Sequence, residues 1–368
     1  MGEFESSSLI DTSLIRGSLY RTLKAIRKKG PLSKAEVARE TGLSNPAAIS
    51  AVDSLKEIGL IVEVGSRETA LGRPPLLWSL NPSYGIVGAI DVDDKGDLLV
   101  EVADTSGCTL CRRHVPAHGD LPTPEALAKR IKNAFGKMSL ALDDYQNKKF
   151  TSIVVALPGT IATEHGVIRS AIHLRWQEIP FRQILSDMGL ENVKIERGTN
   201  LATLAEVRHN PEYQIGDTVL IWVGSGIGAG FYFDGKLFKG MGSIAGEIGH
   251  MIVDINGPPC LCGNRGCLEC IVLDDLKSND TIAAADHLLV GVINIVNAIA
   301  PDRVIIAGPV IDRFPQIVRH VHERLEGSQT IACREVVIRR SNLSGNPRVL
   351  GAIEVALDQT FYDALRKA

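Results

Sequence analysis

The stretch GHMIVDINGPPCLCGNRGCLEC, residues 249–270, places four of the chain's seven cysteines in its last eleven residues, with His250 upstream. Imidazole and thiolate are the donors that tetrahedral structural zinc takes. His250, Cys260, Cys262 and Cys267 supply one of the first and three of the second, a closed set with no position left for substrate. Cys260-Leu261-Cys262 is a tight step, but Gly263, Asn264 and Gly266 free the loop to turn back to Cys267. Cys270 falls on a helix starting near Cys267 and reads as a buried small hydrophobe, with a ligand role in place of His250 as the alternative. An odd cysteine total does not close a disulfide framework. The opening residues MGEFESSSLIDTSL lack the basic and apolar pattern of a signal peptide, so none is expected, and no window approaches the roughly 18 apolar residues that a membrane span needs. A reducing cytoplasm is therefore expected, with no membrane partner, and there clustered cysteines more often bind metal. Cys108-x-x-Cys111 follows a turn with no helix start to lower a thiol pKa, so it is not read as a redox pair.

Two features flank the cluster. Glu247 and His250 stand at i and i+3, one face of a helical turn. Upstream, VGSGIGAG (223–230) has four glycines that let backbone approach a phosphate or a sugar. It lacks the Lys-Ser/Thr of a Walker loop and leads into a strand, so neither that motif nor a dinucleotide fingerprint applies. A glycine-rich hairpin alone is more often structural.

The elements that must position these residues form an α/β pattern. YGIVGAIDVDD, LLVEVADTSG, FTSIVVALPGTIA, TVLIWVGSGIGAGFYFDGKLF and DRVIIAGPVI read as strands ending in turns. Helical stretches such as TPEALAKRIKNAFGKMSLAL and AAADHLLVGVINIVNAIAP lie between them. The first eighty residues differ. Leu14, Leu19, Leu23 and Ile26 fall at helical spacing until Gly30-Pro31. Ser33 with Glu36 forms a capping box for a short helix ending at Gly42. LSNPAAISAVDSLKEIGL then starts with a Ser/Asn cap and Pro46, and sets Ile49, Val52, Leu55 and Ile58 along one face. Two short helices around a glycine turn are a helix-turn-helix. The second presents Ser44, Asn45, Ala47, Ala48 and Ser50, small residues suited to the major groove of double-stranded DNA. IVEVG and LLWSL read as wing strands, with Arg67 and Arg73 at the tip to meet phosphate or the minor groove. A trihelical packing module without DNA is the bland alternative. The net charge of −3 divides into +2 over 1–80 and −5 over the rest.

The combined motifs resemble those of the ROK family of repressors, open reading frames and sugar kinases. AGEIGHM followed by CLCGNRGCLE resembles the family signature, and GSGIGAGFYFDGKLFKG its second phosphate loop with the sugar-side strand. LPGTIA with GVIRSAIHLRWQEIPF resembles its first sugar-contacting stretch, and NPRVLGAIEVAL its C-terminal helix. The resemblance implies a winged helix-turn-helix over 1–80. Over 81–368 it implies an actin-like/hexokinase-like domain of two α/β lobes around a cleft, with a zinc loop at 250–267. Structural Zn2+ would sit on His250, Cys260, Cys262 and Cys267. Glu247, Glu269 and His250 would belong to a sugar site.

Against the family's kinases the chain is altered. They carry the catalytic base in an Asn-Asp-x-Asn stretch. Here IERGTNLATLAE keeps Asn200 and Glu206 but has Arg197-Gly198 for the Asn-Asp pair, and glycine accepts no proton. The first phosphate loop, Asp-x-Gly-Gly-Thr in the kinases, is Asp91-Val92-Asp93-Asp94-Lys95. Segment 273–285 is shorter, and AGPV (307–310) replaces a glycine pair. On the sugar side, His173 and Arg175 replace an Asn and a Gly. Arg197 either reaches the cleft or pairs with Glu196 or Glu206 on the surface. A guanidinium suits carboxylate or phosphate, which widens the expected effector to a sugar, a sugar phosphate or an acidic sugar. The expected function is a sequence-specific transcription regulator, a repressor without enzyme activity. It would bind operator DNA as a homodimer or dimer of dimers. The alternatives are a sugar kinase with an appended DNA-binding domain, or a regulator controlled by a protein partner.

Overall fold

The computed structural model describes residues 17–66, 74–117, 119–140 and 150–367. Three helices open the chain: α1 (Ser18–Lys29), α2 (Lys34–Thr41) and α3 (Asn45–Ile58). Leu14, Arg67 and Arg73 lie outside the described residues. The expected capping box closes α2: the Glu36 amide donates to the Ser33 hydroxyl at 3.3 Å and the Ser33 amide to the Glu36 carboxylate at 2.8 Å. Gly42, with φ 67°, turns the chain into α3, which Ser44 caps through the Ala47 amide. The wing strands β1 (Ile61–Ser66) and β2 (Leu76–Leu80) pair antiparallel, as the sequence pattern predicts.

Two sheets of the same design follow. The first holds β3 (Ile86–Val92), β4 (Leu98–Asp104) and β5 (Thr109–Val115). Helix α4 (Pro124–Leu140) then leads to β6 (Phe150–Leu157). A small sheet of β7 (Thr160–Ala162), β8 (Val167–Ala171) and β9 (Trp176–Ile179), with α5 (Phe181–Asp187), precedes β10 (Val193–Arg197) and α6 (Gly198–His209). The second sheet holds β11 (Thr218–Val223), β12 (Ile227–Phe233) and β13 (Lys236–Phe238), then α7 (Leu268–Lys277), α8 (Thr281–Ile299) and β14 (Arg303–Ala307). Helices α9 (Pro309–Arg313), α10 (Gln316–Glu326) and α11 (Ile331–Glu335) lead to β15 (Val337–Arg340) and α12 (Pro347–Lys367). The strand orders are β10-β6-β3-β4-β5 and β13-β12-β11-β14-β15. In each, three strands meander antiparallel and two are added in parallel, so one topology occurs twice. These are the two α/β lobes of an actin-like/hexokinase-like fold.

The lobes exchange helices. Helix α6 leaves the first sheet and packs on β11 and β12 of the second, while α12 leaves the second and packs on β3 and β6 of the first. The two helices cross each other, and Gly351 of α12 lies so close to α6 that an added Cβ would sit 1.9 Å from the Leu201 carbonyl oxygen. The core of the winged head, including Leu23, Val52, Leu55 and Trp78, runs without a break into Val349, Ile353 and Phe361 of α12.

Two expectations change here. Ile49 does not face the core: it is 44% exposed, and Ala48, Ala51, Val52 and Leu55 form the buried face. An α-helix turns 100° per residue, so Ile49 lies next to the stripe set by Ala48 and Val52 but outside it. Helix α8 is, by length and composition, apolar enough to cross a membrane, contrary to the sequence reading. Its residues Ala284, Leu288, Val292, Ile295 and Val296 are buried in the second lobe's core.

Gly351→Ala is expected to force α6 and α12 apart and to destabilise the fold by about 1–3 kcal/mol or more, as overpacking does. Calorimetric melting checks this; an unchanged Tm would mean that the helices separate without cost.

Candidate functional site: metal cluster, cleft and recognition helix

The cysteine loop is shaped by its glycines. Gly263 and Gly266 adopt φ of 94° and 65°. A Cβ at Gly266 would lie 1.5 Å from the Asp254 carbonyl oxygen, so only glycine lets the loop close. The Cys260 amide donates to Asn264 at 2.8 Å and the Gly266 amide to Pro258 at 2.8 Å. His250 closes a short 3-10 turn, Ile248–His250, and Cys267 is buried at the N-cap of α7. His250 Nδ1 and Cys260 Sγ are 3.6 Å apart, as are Cys262 Sγ and Cys267 Sγ. All four donor atoms lie within 4.8 Å of one another. A tetrahedral metal with thiolate bonds of about 2.3 Å and imidazole bonds of about 2.0 Å needs donors roughly 3.5–3.8 Å apart. The donor set therefore fits a metal ion. Burial and the neighbouring thiols Cys262 and Cys260 push the Cys267 thiol up, and burial does the same to Cys260. A cation relieves both, because it binds the thiolates. Cys270 stands outside the group, half-buried, with its thiol donating to the Cys267 carbonyl at 3.1 Å. Its alternative role as ligand has no geometry behind it.

The cleft lies beside this cluster, and the structure brings the five expected cleft residues into two groups of contacts, His250–Glu247–Arg197 and His173–Glu269. His250 Nε2 is 3.8 Å from Glu247 Oε2. Glu247 Oε1 is 2.6 Å from Arg197 Nη2. Glu269 accepts from the Ile227 amide at 2.7 Å and lies 3.4 Å from His173 Nε2. Gly226 must be glycine for this: a Cβ there would be 2.8 Å from Glu269 Oε2 and 3.2 Å from His173 Nε2. The hydrogen bond to Glu269 raises the His173 pKa. Burial would raise that of Glu269, but His173 and the Ile227 amide outweigh it and lower it.

Arg197 pairs with neither Glu196 nor Glu206 through its side chain. Its guanidinium is buried, donates to the carbonyls of Ala245 and Gly246, and meets Glu247. Glu196 goes instead to Lys239 at 2.6 Å and Asn200 at 2.9 Å, while Glu206 is buried beside Asn210. An anionic ligand reaches Arg197 only by displacing Glu247.

The opposite side of the cleft is occupied by the protein itself. Asp93 caps its own turn by accepting from the amides of Lys95 and Asp97 at 2.9 and 2.8 Å. Asp94 is hydrogen-bonded to Ser225 in the glycine loop of the other lobe. Asp91 accepts from Arg348 at 2.7 Å and Asn346 at 2.8 Å. Arg348 lies 4.8 Å over the Trp222 ring, and its Cδ would be 2.7 Å from a Cβ at residue 198. Gly198 thus leaves room for the Arg348 side chain. Local sequence pattern carries no signal for Arg348, since Asp91 is 257 residues away.

On the winged head, Ser44, Asn45 and Ser50 are exposed and Ala47 half-buried at the start of α3, but Ala48 is fully buried and cannot meet a ligand. Lys34 and Asp53 pair at 2.6 Å beside that face. Arg67 and Arg73, expected at the wing tip, lie outside the described residues.

Fold and site together define a two-lobed actin-like/hexokinase-like chain with a winged helix-turn-helix head. The ROK family model matches residues 94–275, and a winged helix-turn-helix DNA-binding model matches 17–62. Residues 94–275 are thus a ROK family domain, carried behind a winged helix-turn-helix head. It is 24% identical to the xylose repressor of Bacillus subtilis (strain 168) over 375 residues, covering 93% of this chain and 95% of that one. It is 29% identical to the DNA-binding transcriptional dual regulator NagC of Escherichia coli (strain K12), over 67% of this chain and 60% of NagC. Among solved structures, a ROK family transcriptional regulator homologous to the E. coli MLC protein superposes with TM-score 0.74 at 21% identity, covering 95% of this chain and 98% of that one. A Streptomyces griseus ROK glucokinase with glucose and AMPPNP superposes at 0.62 and 18% identity, over 74% of this chain and 99% of the enzyme.

Gly198→Ala is expected to displace Arg348 from Asp91 and to cost about 1–3 kcal/mol of stability. In an Arg348→Ala background the same change should cost far less, because the two residues compete for one volume. Chemical denaturation of the four proteins in this cycle measures it; equal costs in both backgrounds would refute the packing.

Proposed function

We propose that this chain is a sequence-specific DNA-binding transcription regulator, a repressor whose operator affinity is set by a sugar effector. Its division is taken at 1–80 for the winged head and 81–368 for the ROK domain. The carrying observation is Gly198 with Arg348. A sugar kinase needs a base at the hydroxyl and a cradle for the phosphates. Here glycine and the Arg348–Asp91 pair take that place, and Asp93 and Asp94 add negative charge where phosphates would approach. The similarity to the xylose repressor over nearly its full length supports the same reading. A kinase with an appended DNA-binding domain fits these residues less well.

Helix α3 enters the major groove, with Asn45 and Ser50 at base edges and Ser44 at the cap, while Ala47 lets the backbone come close. Arg67 and Arg73 of the wing contact phosphate or the minor groove. Two copies present two such helices to a two-fold operator in the cytoplasm. Glu247, Glu269, His173 and His250 accept and donate to sugar hydroxyls. Because Arg197 is spent on Glu247 and two carbonyls, an uncharged sugar fits the cleft better than an acidic or phosphorylated one. His250, Cys260, Cys262 and Cys267 hold zinc, which would supply folding free energy and no catalysis.

The deciding experiment titrates DNA from upstream of the protein's own gene, with random duplex as control. Asn45→Ala should erode the preference for operator by about 5- to 150-fold, the 1–3 kcal/mol of a lost bidentate base contact. Operator binding no tighter than to random DNA, or robust sugar-dependent ATP turnover by the unmodified protein, would overturn the reading.

Metal analysis should find one zinc per chain, lost in Cys262→Ser and kept in Cys270→Ser; zinc retained in the first would refute the ligand set. For a sugar found by thermal-shift screening, Glu247→Ala and Glu269→Ala should each weaken binding about ten- to hundred-fold, since a buried hydrogen bond to a charged group is lost. Unchanged calorimetric affinity in both would place the effector elsewhere.

A further inference from the structure

The winged head is joined to the lobes by a closed ring of four charges. Glu354 and Asp358 stand one turn apart on α12 and face the same side. Arg27 of α1 donates to Glu354 at 2.8 Å and to Asp358 at 2.6 Å. Arg208 of α6 donates to the same two carboxylates, at 3.0 and 2.5 Å. Each carboxylate thus takes one nitrogen from the head and one from α6. All four side chains are largely withdrawn from solvent, and Arg27 also lies 5.4 Å over the Phe361 ring. Burial would raise the Glu354 carboxyl, yet Arg27, His209 and Arg208 hold it well below the usual carboxylate range.

This geometry resists rotation. Turning the head against α12 breaks the bonds of Arg27 to both carboxylates together. It also strands partly desolvated charge, which makes breaking such a pair costly. The covalent link is short but single: Leu80 ends the wing and Ile86 begins the first lobe, with a 3-10 turn at Pro82–Tyr84 between them. The apolar core shared with Val349, Ile353 and Phe361 holds the head on α12 but is non-directional, and Lys28 to Gln214 at 2.8 Å lies on the exposed rim and adds little.

We propose that this ring determines which operator spacing the protein accepts, so that Arg27, Arg208, Glu354 and Asp358 govern DNA specificity without touching DNA. The inference rests on the reading of the chain as a regulator that binds two half-sites. In such a dimer the separation and tilt of the two recognition helices are set by how each head is fixed to its own lobes. Half-sites must then match that separation, about one helical turn or a multiple of it. A head held at one angle accepts one spacing, and a head on a free hinge accepts many.

The test uses the full chain and half-sites obtained by selection from random duplex DNA, placed in inverted pairs with the spacer varied in single base-pair steps over one turn. For the unmodified protein, moving the half-sites out of phase should weaken binding about 100-fold, because the second head no longer engages. Arg27→Ala and Asp358→Ala should each cut that penalty to less than about ten-fold while a lone half-site is bound as before. Arg27→Lys should give an intermediate profile and carries the test if the alanine variants do not fold. A role in stability alone would lower Tm and leave the spacing profile unchanged. Variants that keep the original profile, or an unmodified protein that accepts every spacing, would overturn the inference. Failure to select any sequence would instead sink the regulator reading, and this inference with it.

Discussion

The backbone contact between α6 and α12 is the constraint on which the rest of this molecule hangs. Each helix is made by one lobe and buried on the other, so the lobes cannot be arranged independently. Several unusual side chains of the protein lie on these two helices or next to them. Arg197 is the last residue of β10 and Gly198 opens α6, while Arg208 stands near the helix's end. Arg348 opens α12, and Glu354 and Asp358 follow along it. A twelve-residue helix is about 18 Å long, so α6 spans from the cleft to the winged head as one rigid body. A shift at the Arg197 end is felt at the Arg208 end because a helix transmits displacement instead of absorbing it.

The cleft shows how binding chemistry and phosphoryl-transfer chemistry come apart. Carboxylates and imidazoles face one another in the cleft, held by the Ile227 amide and by one another. Phosphoryl transfer needs positive or neutral backbone where charge accumulates. The chain has put Asp93 and Asp94 there and has neutralised Asp91 with an arginine that a glycine at 198 accommodates. One glycine therefore admits a counter-ion for Asp91. The Asp94–Ser225 bond also joins the two lobes across the cleft.

Much of this was legible in the sequence because it is local. The capping box at Ser33 and Glu36, the Ser44 cap and the antiparallel wing follow from residue types within a few positions of each other. The same holds for the four metal donors, whose loop is closed by its own glycines. What escaped is non-local or a matter of degree. Arg27 finds Asp358 across 331 residues, and no periodicity encodes that pairing. Arg197 was legible as a cleft residue, but its partner was not, since Glu247 approaches through a different lobe. Ile49 failed for a finer reason. A helix pattern read at three- and four-residue steps cannot separate neighbours on the edge of an apolar stripe, and alanines at 48 and 51 took the buried positions.

The metal loop is more than a staple for the second lobe. His250 faces the cysteines with Nδ1 and Glu247 with Nε2. Glu247 therefore stands between the His250 imidazole at 3.8 Å and the Arg197 guanidinium at 2.6 Å. Cys267 plays the matching part for Glu269: it is the N-cap of α7, and Glu269 sits in that helix's first turn, where the helix dipole favours a carboxylate. Both carboxylates of the cleft are thus neighbours of residues in the His250, Cys260, Cys262 and Cys267 cluster. The cysteine cluster and the sugar-facing acids are adjacent in sequence because one loop does both jobs.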